Sequence, residues 1–475
     1  MSIRMRTRNT TVARNTISSL FLHGADERKE SAAATTNIIL EAIEEYLGWR
    51  NHAMLTYPVL MHPQVTEDFV KKNPKRYKES LETRPSDDTL DSYRNIRPVC
   101  VVPWGSPLLD QFLEAHLPIV IRGSQLIKRG GSTGESKESK WTPGHIQSML
   151  AAKKVTVYES PSQYFRYWKK EQHTGPYVFK APTSEKSITI SEFLQRVQET
   201  TKEGPAIDED GNKKGRSGLL YLQESLSGHS EFSSEFASWN WNWLLRIVQK
   251  YGWGTPDRNI LLIGMQGATT PAHYDEQENM FAQMRGRKEV YLWPPGDWQG
   301  MYAFPCNHAC DRQAMVNPDN PDLHRFPLYR HARPHYAVLQ PGDLLYLPVG
   351  WWHHLRNLDP LAISITFWSK QQKASLDTLK LPLDQRHLLT VRRNLEEMVF
   401  NIFGSESLQN LAKQLSAKHS SKPSTKLSEG NSKVKEFMVN CLSNFMGRTQ
   451  AEPLILDMLE GRYCNDIEKW IQPNA

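Results

Sequence analysis

The sequence predicts a mainly β domain, a sandwich or barrel, with flanking helices and a helical C-terminal segment. Three observations predict it. From about residue 96, short apolar runs alternate with Gly/Pro turn signals, the pattern of many short strands. After about residue 371 the apolar period changes to steps of three and four, the period of helices. The chain is also long and aromatic enough, at 475 residues with 14 Trp, to bury a large core.

Residues 1–95 read as an N-terminal extension. Ile39, Ile43, Tyr46 and Leu47 mark one short amphipathic helix, and "KKNPKRYKESLETRPSDDTLDSYR" is charged and Pro-interrupted, as in a linker or surface. Arg4, Arg6, Arg8 and Arg14 precede the first acid, Asp26. That composition fits a mitochondrial transit peptide and a disordered basic tail equally well.

Residues 96–370 form the β domain. Its strands are expected at "RPVCVV", "LPIVIRG", "KVTVYES", "SITI", "GLLYLQ", "NILLIGM", "KEVYLWPPG", "HYAVLQPGD" and "LLYLPVG". Polar inserts at 128–140 and 201–218, rich in Gly, Ser and charge, are expected to be disordered loops, as is 416–433 further on. Residues 371–475 form the helical region. Leu388, Val391, Leu395, Met398 and Ile402 make one apolar stripe, and Met438, Cys441, Leu442 and Phe445 a second. Each must pack on its own domain or on a second copy.

Composition excludes several classes. A net charge of +6 is mild for this length and singles out neither nucleic acid nor membrane as a partner. Five scattered cysteines argue against a disulfide framework and for a reducing compartment, cytoplasmic or nuclear. No apolar run approaches the roughly 18 residues of a spanning helix.

The chemistry lies in "TTPAHYDEQENMFAQMRGRKEVYLWPPG", expected as one strand, a turn at Arg285-Gly286-Arg287 and a second strand. On a strand, His273, Asp275, Gln277 and Asn279 share one face. Such a polar row inside a barrel needs partners, a metal or a ligand. Two imidazoles and a carboxylate with the remaining positions open is the ligand set of non-haem Fe(II) oxygenases. His273 and Asp275 supply two ligands, and "PGDLLYLPVGWWHH" supplies a third from afar. Neighbouring strand residues face opposite ways, so one of His353 and His354 faces the metal, and spacing does not say which. Lys288 would pair the far carboxylate of a 2-oxo acid inside the barrel, with Thr270 and Tyr221 offering hydroxyls.

These stretches together resemble the JmjC-type 2-oxoglutarate oxygenases. They resemble most the asparaginyl hydroxylases of the factor-inhibiting-hypoxia-inducible-factor type, through "SWNWNW", "TPAHYDEQEN", "FAQMRGRK", "CDRQ", "NPDNPD" and "PGDLLYLPVGWWHH". The resemblance covers about 96–370, with "RRNLEEM" and "LEGRY" in the helical tail. It implies a double-stranded β-helix, the cupin or JmjC jelly roll. It implies Fe(II) on His273, Asp275 and His353, and the cosubstrates O2 and 2-oxoglutarate, the latter on Lys288, Thr270 and Tyr221 with Asn279 nearby. Trp368 would pack beside the metal. Gln277 and Gln313 would hold a target amide, with Arg312 and Tyr167 lining the same region. The implied reaction is β-hydroxylation of asparagine in hypoxia-inducible factor or ankyrin-repeat proteins, by a homodimer joined through its C-terminal helices. Thr366 departs from the family's usual asparagine, and the loop before it is shorter.

Blander readings compete at several positions. His354 is expected to be structural, "CNHAC" a packed loop rather than a zinc site, and Trp239, Trp241 and Trp243 core. Two other functions are weighed: histone lysine demethylation, and a non-catalytic scaffold that binds ankyrin proteins.

Overall fold

The computed structural model describes residues 96–127, 140–150, 153–202, 218–226, 230–256, 258–370, 385–420, 427–463 and 467. The expected N-terminal helix and most of the inserts at 128–140 and 201–218 lie outside them.

Fourteen strands form the domain among the described residues: β1 (Arg97–Pro98), β2 (Cys100–Pro103), β3 (Ile119–Arg122), β4 (Lys154–Ser160), β5 (Ser184–Thr189), β6 (Leu219–Ser225), β7 (Arg258–Met265), β8 (Thr269–Tyr274), β9 (Gln277–Arg285), β10 (Lys288–Trp293), β11 (His335–Leu339), β12 (Leu344–Leu347), β13 (Trp352–Asn357) and β14 (Leu361–Lys370). The longer helices are α1 (Leu108–Glu114), α2 (Pro143–Leu150), α3 (Ile190–Lys202), α4 (Trp241–Lys250), α5 (Gln385–Phe403), α6 (Ser407–Ser420), α7 (Glu429–Met446) and α8 (Arg448–Leu459).

The strands make two sheets. One has five strands in the order β1-β11-β10-β13-β8; the other has nine in the order β2-β3-β12-β9-β14-β7-β6-β4-β5. Their inner faces pack on each other through Val120, Phe281, Leu345 and Leu347 from the larger sheet and Val290, Leu292, Ala337, Leu339 and Leu355 from the smaller. The outer face of the nine-stranded sheet packs under Leu113, Ile146, Phe193 and Leu244 of α1 to α4. Trp239 is buried in that layer, with Trp241 and Trp243 against it, as expected of core. The domain is therefore the expected double-stranded β-helix with helices on its flanks.

Three expectations need correction. The single strand expected through residues 270–285 is two strands in different sheets, because the chain turns a corner at Asp275-Glu276. The polar row of His273, Asp275, Gln277 and Asn279 therefore does not lie along one strand. The insert expected at 416–433 is helix at both of its described ends: α6 runs to Ser420 and α7 starts at Glu429, capped by the Ser428 hydroxyl accepting from Asn431 N at 3.3 Å, while 421–426 lie outside the described residues. "SITI" ends a strand and starts a helix, with Ile190 opening α3.

The C-terminal helices fold back on the domain. Leu388, Val391, Leu395 and Met398 of α5 and Met438 and Leu442 of α7 join a core with Trp293 and Trp352. Glu396 and Arg462, both buried, make an ion pair at its centre. The Arg462 Nε donates to the Ala303 carbonyl at 2.8 Å, which ties the tail to the barrel wall. The turn between β9 and β10 needs its glycine: Gly286 has φ +67°, and a Cβ there would stand 2.5 Å from the Leu361 carbonyl oxygen.

Candidate metal centre

β8 and β13 are antiparallel neighbours, and His353 is paired directly with His273. Directly paired residues share a face, so both imidazoles point the same way, their rings 4.0 Å apart. The same register decides between the two histidines. His354 faces outward, paired with Tyr291, and its Nε2 lies 3.3 Å from the Asp319 carboxylate. The pairing slips by one just beyond: Leu355 meets Thr270, which leaves Pro271 and Ala272 together opposite His354, one residue too many on β8. A proline has no N–H for the ladder and fits such a bulge.

Asp275 enters from the corner. Its Oδ1 lies 4.0 Å from the His273 Nε2 and its Oδ2 3.7 Å from the His353 Nε2. The Gly350 N–H fixes the corner by donating to the Asp275 carbonyl at 2.9 Å. The three ligand atoms lie within 4.8 Å of one another, and no other such group of His, Cys, Asp and Glu occurs among the described residues. An ion with bonds of about 2.1 Å holds its ligands between about 3 and about 4.2 Å apart. A small side-chain adjustment brings these three into that range.

The imidazoles are in the form a metal requires. His273 Nδ1 is 2.9 Å from the Pro271 carbonyl, and His353 Nδ1 is 3.0 Å from the Trp351 carbonyl. A carbonyl only accepts, so each Nδ1 carries a proton and each Nε2 is the ring nitrogen turned to the centre. Burial, with the neighbouring His353 ring, pulls His273 down to about 3, which keeps it neutral. Burial opposes ionisation of Asp275. His353, His273, Arg312 and the Trp368 indole outweigh it and hold the carboxyl below its ordinary range. Trp368 Nε1 donates to Asp275 Oδ2 at 3.1 Å.

Lys288 opens β10 and points between the sheets, on the face shared with Val290 and Leu292. It is 2% exposed. Its Nζ lies 5.0 Å from the Phe281 ring and 5.8 Å from the Tyr221 ring, with no carboxylate in ion-pair range among the described residues. Burial lowers it from 10.5 to about 7. A buried ammonium with no acid partner asks for an anion. Around it Tyr221 is hydrogen-bonded to Thr270. Asn279 Oδ1 and Thr366 Oγ1 are buried without a partner, on neighbouring strands of the inner face. A donor set of one cation, hydroxyls and an amide fits a dicarboxylate, so these residues fit 2-oxoglutarate chelating a metal at the triad.

The mouth is less as expected. Gln313 is bridged to His273 across the open edge of β8, where the Ala314 N–H donates to the Ala272 carbonyl at 2.8 Å. Its side-chain amide is engaged, Nε2 donating to the Tyr167 carbonyl and Oε1 accepting from Arg166 Nη1 at 3.5 Å. Gln277 is half-buried at the corner. Arg312 sits in the left-handed region, φ +64°, with its guanidinium 3.9 Å from both Glu276 and Asp311. Tyr167 stands edge-on to His273, ring centroids 5.5 Å apart, and its hydroxyl donates to the Asp311 carbonyl at 3.2 Å.

Sequence reasoning missed what braces this mouth. Arg393 of α5 donates to Asp311 at 2.7 Å, so the helical tail supports the substrate side. Asp319, in "NPDNPD", gathers the Tyr164 hydroxyl at 2.9 Å, His354 and Arg356 behind the metal strands. "CNHAC" holds no metal group among the described residues: His308 stacks on Phe304, centroids 4.7 Å apart, and Cys306 and Cys310 are buried.

A double-stranded β-helix holding two histidines and an aspartate at one end defines a metal-binding cupin scaffold. Residues 106–375 match the family described as Cupin-like domain, and the chain belongs to it. Among curated relatives, the chain is 37% identical over 241 residues to the HSPB1-associated protein 1 homolog of Danio rerio, covering 48% of each chain. It is 31% identical over 240 residues to HSPB1-associated protein 1 of Bos taurus, 48% of this chain and 44% of that one. It is 30% identical over 189 residues to lysine-specific demethylase 8 of Danio rerio, 39% of this chain and 41% of that one. The chain thus spans about half the length of the HSPB1-associated relatives it matches. The JmjC branch of the family typically consists of 2-oxoglutarate oxygenases using Fe(II).

Proposed function

We propose that this chain is an Fe(II)- and 2-oxoglutarate-dependent oxygenase that hydroxylates a protein side chain, with asparagine the first target to test. One observation carries the reading: the His273 and His353 imidazoles and the Asp275 carboxylate meet at one end of a barrel that also buries an unpaired Lys288. His273, Asp275 and His353 would hold the metal, and Lys288 the far carboxylate of the cosubstrate, with Tyr221, Thr270, Asn279 and Thr366 around it. When bound, Fe(II) and 2-oxoglutarate would supply, with O2 as the oxidant, oxidative decarboxylation to succinate and carbon dioxide, one oxygen atom entering succinate and the other an unactivated C–H bond of the substrate.

The chain's own residues do the rest. The Pro271 and Trp351 carbonyls hold both Nδ1–H groups, which turns each Nε2 toward the site where a metal would sit. Trp368 fixes one carboxylate oxygen of Asp275. The apolar inner face of Phe281, Leu345 and Leu355 keeps water from the reacting carbon. Tyr167, Arg312 and Gln277 line the mouth, and a substrate amide would be met by Gln277 and the Arg312 donors. Reciprocal pairing with Gln313 would require that side chain to leave Tyr167 and Arg166.

A protein acceptor agrees with relatives named for association with HSPB1. Hypoxia-inducible factor and ankyrin-repeat segments stand as the substrates to test. Homodimerisation belongs to the same proposal: Ile402, Phe403 and Leu456 of the tail leave apolar side chains 44%, 36% and 39% exposed. The match to lysine-specific demethylase 8 favours a second reading, removal of a methyl group from lysine.

The test is succinate release from 2-oxoglutarate with Fe(II), with asparagine-bearing ankyrin peptides and methyl-lysine peptides in parallel, followed by mass analysis. Gain of one oxygen on asparagine is the expected product. Loss of a methyl group selects the demethylase, and absence of iron-dependent succinate removes the oxygenase reading.

A further inference from the structure

We propose that Arg258 is a positioning residue for the metal centre, acting on Asp275 through the indole of Trp368. The inference rests on the metal reading above and adds to it a residue outside the ligand and cosubstrate sets.

Three observations lead to it. Arg258 opens β7 and is paired directly with Trp368 of β14, so both side chains rise from the same face at the rim of the barrel. The Arg258 Cζ lies 5.2 Å from the centre of the Trp368 ring, a cation over an aromatic face. The same indole donates its Nε1–H to the Asp275 Oδ2 at 3.1 Å. Arg258 is exposed and has no acid in ion-pair range among the described residues, so the indole face is the contact that orders its guanidinium.

The chemistry follows from the ring. A cation held over the indole draws electron density toward that face and leaves the N–H more positive, which strengthens its donation to a carboxylate. It also pins the ring plane. Trp368 is half-buried on the last strand of the barrel, paired with Asn279 on one side and Arg258 on the other. A carboxylate with one oxygen fixed by a donor presents the other to a metal, and such supporting hydrogen bonds commonly change metal affinity by about ten-fold or more. Direct electrostatics acts in the opposite sense, because a guanidinium near the site repels a divalent cation. For an exposed arginine that repulsion is screened by salt, whereas the stacked contact is not.

The experiment is a titration of the full-length apoprotein with Co(II), followed by its visible absorption. Trp368→Phe keeps the ring and removes the donor, and it raises the Co(II) Kd about ten-fold. Arg258→Gln raises it about three-fold, the worth of an exposed cation–aromatic contact. Arg258→Lys restores most of the loss. Arg258→Gln made in the Trp368→Phe background adds nothing, because the donor it acts through is gone. Added salt leaves the Arg258→Gln effect in place. Arg258 is exposed, so unfolding of the apoprotein shifts by no more than about 1 kcal/mol in its variants.

An unchanged or lowered Kd in Arg258→Gln overturns the inference, and so does an equal penalty with and without the Trp368 donor. Both leave the metal reading standing. Failure of the wild type to take up Co(II) overturns the metal reading and this inference with it.

Discussion

Replacing Lys288 with methionine separates what the ammonium does for the fold from what it does for the ligand. Methionine keeps a long flexible chain and removes the charge. The lysine is fully buried, and burial lowers it from 10.5 to about 7. The unfolded chain exposes it, so its unfolded value is near 10.5. Between these two values the unfolded state binds a proton that the folded state lacks, and stability rises with pH across that window. As pH falls from 10.5 toward 7, that stability is lost. With roughly 1.4 kcal/mol per pH unit, the ammonium costs the apoprotein about 4 kcal/mol at pH 7 and about 1 kcal/mol at pH 10. Lys288→Met is therefore more stable than wild type in urea by about that amount at pH 7, and the gap narrows as pH rises. The ligand side has the opposite sign. 2-Oxoglutarate with Mn(II) stabilises the wild type most below pH 7, where the free lysine is already charged, and less above it. Lys288→Met shows no 2-oxoglutarate-dependent rise in Tm at any pH, although Mn(II) alone still gives one. A variant less stable than wild type, or a gap that ignores pH, refutes the picture of an unpaired buried cation. A retained 2-oxoglutarate response refutes its role as the carboxylate partner.

Other substitutions test the remaining geometry. His353→Ala abolishes stoichiometric Co(II) binding, whereas His354→Ala keeps one ion per chain and lowers Tm, because His354 faces Asp319 and not the triad; Co(II) titration and calorimetry read both. Gly264→Ala puts a Cβ 2.2 Å from Asn357 Nδ2 and 2.5 Å from the Tyr221 ring, so it costs about 1–3 kcal/mol in urea and weakens 2-oxoglutarate binding through Tyr221. Glu396→Gln leaves Arg462 buried without its counter-charge and destabilises by about 3–5 kcal/mol, measured by chemical unfolding, with Co(II) affinity unchanged. Arg312→Gln raises the KM of whichever peptide supports succinate release and leaves Co(II) binding in place, since its donors face the mouth and not the ligand atoms.

The fold class was legible because strand and helix periods differ. Short apolar runs such as "NILLIGM" and "HYAVL", set between turn signals, mark strands, and the stripe from Leu388 to Met398 marks a helix whose buried face the structure then shows. The candidate metal ligands were legible as residue types, since a His-x-Asp followed far away by a histidine on a strand has few other uses in that company. Their convergence was not legible from spacing. His353 faces His273 only because β8 and β13 are neighbours in that register, and a slip of one residue would have presented His354 instead. The resemblance supplied that choice, and the cross-strand pairing gives it a physical cause. The corner at Asp275 was invisible for a related reason. "HYDEQEN" has no glycine or proline to mark a break, and the turn is imposed by the two sheets that β8 and β9 join, with Gly350 closing it from another part of the chain. What periodicity misses in general is contact across long separation: Arg393 to Asp311, Asp319 to His354, Arg258 to Trp368. Each joins side chains from elements whose relative placement only the assembled sheets fix. These are also the contacts that hold the ligand strands and the mouth in shape, so what keeps the centre in place is the part a motif cannot report.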